Sequence, residues 1–436
     1  MNDEASAART CDVLIIGGGP GGSTAATLLA QKGHQVVLME KDKFPRFHIG
    51  ESLLPVNNGL FEELGVLDQI ARVGMVKNAA QFDSMYHDKK QSFYFSRAVN
   101  QRYPFSYEVH RAELDQILLD NSRAKGAQVC EETSVTGADF SDAEFVRVTT
   151  KDKNGEGHWR TRFLIDASGR DTFLANRFKC KQPHPKHASA AIYGHYEGVE
   201  RLSGSDEGNI TLFWFDHGWF WLIPLTQGIT SVGMVCWPYF LKTRKTDLDA
   251  FMQETIASCP PLAQRMQGAR LTRPATATGN YSYVSEKMSG DRYLMLGDAY
   301  AFIDPIFSSG VLLAMKSAFM GAAVVDTGLR DPARMARGLR QFEKSVRKGL
   351  NGFTWLVFRM TTPMLRQLII NPRNVLGVET AVIAILAGDV YDNPRARRGM
   401  LLFKFLYYMG SLMNLPTSLR AHYRRRRMIR QIPFET

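Results

Sequence analysis

Cysteine is scarce in this sequence. Cys11, Cys130, Cys180, Cys236 and Cys259 are scattered, odd in number and without CxxC spacing. That usage argues for reduced thiols and against a zinc site, so no metal is expected. No run of about 18 uncharged apolar residues occurs, and no membrane-spanning helix is expected. Met1 to Arg9 is polar and lacks the apolar core of a signal peptide, so a cytoplasmic location is expected. There is no internal repeat, no low-complexity tract and no second glycine-rich fingerprint.

What is present is a chain of 436 residues, too long for one ordinary core. Its apolar and charged fractions are those of a globular protein. The net charge is +11, and Arg420, Arg424, Arg425, Arg426, Arg427 and Arg430 concentrate much of it at one end. A basic tail meets an acidic protein or an anionic lipid surface, or it is simply a solvated terminus. Nucleic acid is not the expected partner.

The strongest local pattern lies near the start. An apolar strand, Cys11 to Ile16, runs into Gly17-Gly18-Gly19-Pro20-Gly21-Gly22 and then a helix through Lys32. A second strand, Gln35 to Glu40, follows. This βαβ unit carries GxGxxG at Gly17, Gly19 and Gly22, where glycine lets the backbone turn tightly and approach a pyrophosphate on the helix N-terminus. Glu40 ends the second strand, where a carboxylate binds a ribose hydroxyl.

Further along, a polar segment ends in Gly50-Glu51-Ser52, and Lys77 stands alone in an apolar setting. A lone lysine is ordinarily a solvated surface residue. Gln81 to Tyr107 alternates and is rich in aromatics, as antiparallel strands are. Trp219-Phe220-Trp221-Leu222-Ile223-Pro224 reads as a buried strand closed by proline. Tyr293 to Leu296 is another, ending in Gly297-Asp298. Ser308-Ser309-Gly310 would cap a helix from about Leu312, leaving amides and the positive dipole end facing an anion. Phe342 to Ala421 is expected to be helical, broken at Pro363, Pro372, Pro394 and Pro416.

Together these pieces resemble the flavin-dependent halogenases. The resemblance rests on GGGPGGS with Glu40, Gly50-Glu51-Ser52, Lys77, Trp219/Trp221/Ile223/Pro224 (the family's WxWxIP) and Gly297 to Val311. It spans residues 11 to 320 in the family's order. The fold it implies is α/β: an FAD-binding Rossmann-like domain (1–80, 106–185 and 280–345), an inserted antiparallel-sheet substrate domain (81–105 and 186–279) and a helical C-terminal region (346–436) with the basic tail. The resemblance implies that reduced FAD, oxygen and halide, chloride or bromide, give hypohalous acid. Lys77 would receive that oxidant and direct it onto an aromatic. Trp219, Trp221, Ile223 and Pro224 would line the tunnel between flavin and substrate. Ser309 and Gly310 would hold the halide. Gly17, Gly19, Pro20, Gly22, Glu40, Lys41, Ser52, Arg111, Asp298, Gly310 and Val311 would contact the cofactor.

The tryptophan-halogenating branch carries a glutamate where this chain has Phe307. The Phe-Ser-Ser-Gly-Val form resembles the phenol and carrier-tethered branch, so the expected substrate is an electron-rich phenol or pyrrole, free or on an acyl carrier protein, and not free tryptophan. Lacking a nicotinamide fingerprint, the chain is expected to take reduced FAD from a separate flavin reductase. It is expected to be a monomer or homodimer, with membrane contact through the tail as one role for the arginines. Two other activities share this scaffold: an FAD-dependent aromatic hydroxylase and a polyene or isoprenoid reductase.

Overall fold

A computed structural model describes residues 8–372, 374–391 and 393–430. The side chains of Val375, Arg427, Met428 and Arg430 lie outside that description, as do Met1 to Ala7.

The strand Arg9–Ile16 forms the centre of the first sheet, parallel to Val36–Met39 on one side and Gly155–Asp166 on the other. Gln128–Cys130 and Tyr293–Met295 extend the parallel set outward. Val13, Leu14 and Ile15 are buried on both faces, as the continuous apolar run requires when helices cover a parallel sheet. One of those helices is Pro20–Gln31, with proline at its first position, where a missing N–H costs nothing. It packs against a second helix, Gly310–Arg330. By length and composition alone that second helix is apolar enough to cross a membrane. Its Val311, Leu312, Met315, Ala318, Ala322 and Val325 are buried inside the protein instead.

The second sheet orders Arg270–Leu271, Ala190–Glu197, Ile229–Cys236, Gly218–Pro224, Ile210–Phe215, Ala79–Ser84 and Lys89–Tyr94. It is antiparallel except at one junction, where Ile210–Phe215 runs parallel to Ala79–Ser84. Those two strands come from hairpins far apart in sequence, so no tight turn dictates their relative direction. Alternation gives each face its own core. Trp219, Trp221 and Ile223 face the interior shared with the C-terminal helices, whereas Phe220 and Leu222 face a smaller core under Leu248–Ala257 and Pro260–Arg265.

The C-terminal region is helical as expected: Met335–Val357, Pro363–Ile370, Val378–Leu386, Pro394–Met413 and Leu415–Arg430. Pro363 and Pro394 begin helices, and Pro416 is tolerated in the first turn of the last one. That last helix is pinned to the body. Arg424 donates to the Asp216 carbonyl at 3.1 Å and Arg425 to that of Lys186 at 3.0 Å.

Candidate active site

The glycine fingerprint opens on a cavity of about 490 Å³. Gly17 has φ +98°, and a Cβ there would stand 2.5 Å from the Ala167 carbonyl oxygen. A Cβ on Gly22 would stand 1.9 Å from the Gly17 oxygen, so Gly22 serves helix–strand packing and does not line the cavity. Gly19 has only the Arg46 guanidinium near, at 3.9 Å, leaving an open approach to the helix N-terminus. Glu40 is buried at the end of its strand. One of its oxygens accepts from the Gly18 amide at 2.7 Å, the other from Asp42 at 2.8 Å. This carboxylate therefore also holds the fingerprint loop in shape. The cradle fits the adenosine and pyrophosphate of FAD.

Lys41 reaches across the cavity rim to Asp171 at 2.5 Å, an exposed contact whose hydrogen bond raises the lysine pKa. Arg111 lines the cavity at the foot of its helix, Arg111–Ala124. It forks onto the buried Asp115 with two bonds of 2.9 Å and donates to the Ile49 carbonyl at 2.9 Å. Its visible work is to fix the segment leading to Gly50-Glu51-Ser52. Asp298 lines the cavity from the turn after Tyr293–Met295, and burial pushes its carboxyl up to about 6.

Trp219, Trp221 and Ile223 form the opposite wall of the same cavity, with the two indoles 5.9 Å apart at 51°. Trp221 donates to Ser231 Oγ at 3.2 Å. Gly233 on the neighbouring strand makes room for it, since a Cβ there would meet the indole at 2.2 Å. Pro224 closes the strand opposite Thr230 and does not line the cavity.

The turn before helix Gly310–Arg330 differs from the capping expected. Neither serine side chain caps the helix. Ser308 has φ +53°, an unusual conformation for a non-glycine residue, and its Oγ donates to Ser52 Oγ at 3.0 Å. Ser308, Gly310 and Val311 line the cavity, and Ser309 is buried just behind them. The first-turn amides thus lack a side-chain cap, as an anion site at a helix N-terminus needs.

Lys77 ends the short strand Met75–Lys77 and is only 1% exposed. It does not line the cavity. Its Nζ donates to Ser52 Oγ at 2.8 Å and to the Leu53 carbonyl at 3.0 Å, one hydrogen bond behind the cavity wall. Glu108, fully buried on the facing strand, stands 3.8 Å away. Neither Glu108 carboxyl oxygen makes a hydrogen bond of ordinary geometry among the described residues, and its polar neighbours are Lys77 and Ser52. Burial lowers the Lys77 pKa and raises that of Glu108 to about 8. Each group is pushed toward its neutral form, and the attraction between them opposes the push.

Sequence reasoning missed Glu108, which sits in no motif. It also missed the partner of Glu51, His195, whose Nε2 lies 2.6 Å from Glu51 Oε1 although 144 residues separate them. The Phe307 ring is buried near that of Phe353, at 6.4 Å.

Comparison with known proteins agrees with this geometry. The FAD binding domain family matches residues 10–335. The 1H-pyrrole-2-carbonyl peptidyl-carrier-protein chlorinase of Pseudomonas fluorescens is 28% identical over 410 residues, 88% of this chain and 90% of its own. A tryptophan 2-halogenase of Chondromyces crocatus is 32% identical over 338 residues, 76% of this chain and 64% of its own. Among solved structures, the myxobacterial chondrochloren halogenase CndH matches at TM-score 0.77 and 30% identity, over 91% of this chain and 90% of that one. The fold and its cradle are those of an FAD-binding oxidoreductase. Within that class the chain belongs to the flavin-dependent halogenases.

Proposed function

We propose that the protein halogenates an electron-rich aromatic, phenol or pyrrole in type, by way of hypohalous acid relayed to Lys77. The observation that carries this reading is the hydrogen-bonded line from Ser308 through Ser52 to Lys77. It joins the uncapped helix N-terminus to a buried amine one hydrogen bond behind the wall of the cavity that the indole pair also lines. Reduced FAD, when bound, supplies the two electrons with which oxygen and halide become hypohalous acid and water.

The chain's own residues do the rest. Amides around Ser309 and Gly310 hold the halide by the positive end of the helix dipole. Trp219, Trp221 and Ile223 exclude the arene from the flavin side, so direct hydroxylation is suppressed. Lys77 then acts in one of two forms. As a donor it hydrogen-bonds the oxidant. As a free amine it takes the halogen, with loss of water, and passes it to the ring. The depressed lysine pKa favours the amine. Burial raises the Glu108 pKa to about 8, which weakens the pull of its carboxylate on the ammonium form of the lysine at lower pH.

Phe307, standing where the tryptophan-halogenating branch has a glutamate, supports a substrate that needs no second acid, a phenol or pyrrole in preference to free tryptophan. A carrier-bound substrate is supported by the Pseudomonas relative, whose name places its pyrrole on a carrier protein. A separate flavin reductase and a cytoplasmic location complete the reading. The test is mass spectrometry of products from phenols and pyrroles, free and carrier-bound, with reduced FAD supplied by an added reductase and chloride compared with bromide. Halogenated product that requires the reductase supports it. Hydroxylated product without halogen, or turnover with NADH and FAD alone, overturns it.

A further inference from the structure

The helix Pro394–Met413 has two apolar faces. One, through Ala396, Met400, Phe403 and Tyr407, is buried against the body. The other, through Leu401, Phe405, Tyr408 and Leu412, follows the same helical spacing and points outward. Those four side chains are 61%, 58%, 52% and 62% exposed. Met413 ends that helix exposed, and Leu415, Leu419 and Tyr423 are exposed on the last helix, which follows directly. A lone exposed leucine needs no explanation, but a run of eight large apolar side chains along two successive helices does.

The charge around this surface is one-sided. From residue 394 to residue 430 the sequence has nine arginines and one lysine, and no aspartate or glutamate. Arg397, Arg398, Arg420 and Arg426 are exposed on these helices. A second copy of the chain is a poor occupant, because a symmetric pairing would set arginines against arginines. An occupant must offer negative charge and an apolar interior together. An anionic lipid surface does so, with headgroups for the arginines and acyl chains for the leucine and phenylalanine side chains.

We propose that this face, spanning Leu401 to Tyr423, binds the surface of an anionic membrane, with the helices lying in the interfacial plane. The inference is independent of the halogenation chemistry. It also ties the body to the surface, because the last helix places Arg425 against a small cavity whose walls include Trp219 and Asp304.

The test is co-sedimentation of the full chain with vesicles of phosphatidylcholine alone or mixed with phosphatidylglycerol. Binding is expected only to the mixed vesicles, falling as salt is raised. Replacing both Arg420 and Arg426 by Gln should weaken it by at least about tenfold, given the typical contribution of a basic residue near such a surface. Phe405→Asp with Leu412→Asp should abolish it, while FAD binding and circular dichroism stay unchanged. No pelleting with anionic vesicles, or equal pelleting of the aspartate variant, overturns the proposal. Retention of the chain by a soluble acidic carrier protein with no vesicle binding would also overturn it.

Discussion

Ser308 donates to Ser52 across 3.0 Å, and Ser52 in turn accepts from Lys77 across 2.8 Å. Two serines 256 positions apart thereby connect the turn at the cavity to a lysine that solvent does not reach. Ser52→Ala should leave the fold intact while removing one of the two acceptors that orient Nζ, and the comparison is made at saturating flavin because Ser52 also lines the FAD cavity. We expect halogenation to fall by about 10- to 100-fold, the range for a lost bond to a charged or polarised group. Single-turnover measurement with preformed reduced FAD reads it. Lys77→Ala should fall to background in the same assay with FAD affinity unchanged.

Glu108 should leave a mark on stability. Its carboxyl ionises near 4.5 ordinarily and at about 8 in the fold, so the folded protein keeps a proton that the unfolded chain loses. The resulting stabilisation is fully present below 4.5 and disappears as pH rises through about 8. Lys77 shifts in the opposite sense and adds stability as pH climbs toward 10.5. Urea unfolding of Glu108→Gln between those two carboxyl limits should show a flatter decline than the parent. An identical slope in both proteins would mean the carboxyl is not protonated in the fold.

Gly233 gives the indole of Trp221 its space. Gly233→Ala forces the ring or the strand to move, and overpacking of this kind costs about 1–3 kcal/mol. Thermal denaturation should report the loss. Product analysis should report a second effect, a smaller share of oxidant reaching the arene.

Glu40→Ala removes the acceptor of the buried Gly18 amide in the fingerprint loop and of the part-buried Asp42 amide. Leaving such donors unmatched costs about 1–3 kcal/mol. FAD affinity measured by fluorescence titration should drop accordingly, with Lys77 chemistry intact at saturating flavin.

The nucleotide cradle was legible in the sequence because its chemistry is local. Gly17, Gly22 and Glu40 lie within one βαβ unit, and each has a backbone reason to be where it is. The strand Gly218–Pro224 was equally readable, its faces following from period two. The surroundings of Lys77 were not. Glu108 arrives because the strand Ser106–Glu108 pairs with Met75–Lys77, and no short-range signal marks that pairing. The turn at Ser308 was misjudged for a related reason. Serine before a helix ordinarily caps it, but the N-cap residue Ser309 has helical φ and ψ and its side chain makes no cap, while the neighbouring Ser308 is turned to the distant Ser52. The exposed stripe from Leu401 was hidden too, because the helix carries apolar residues on both sides and periodicity alone does not say which side is covered.

The alternation along Gly218–Pro224 restricts how this family of chains can diverge. Adding or deleting a single residue ahead of Trp219 would turn both indoles into the neighbouring core and bring Phe220 and Leu222 to the cavity. The chemistry of this wall is therefore open to exchange of side chains but closed to changes in length. Loops at the sheet's ends can grow or shrink, while this segment keeps a fixed residue count.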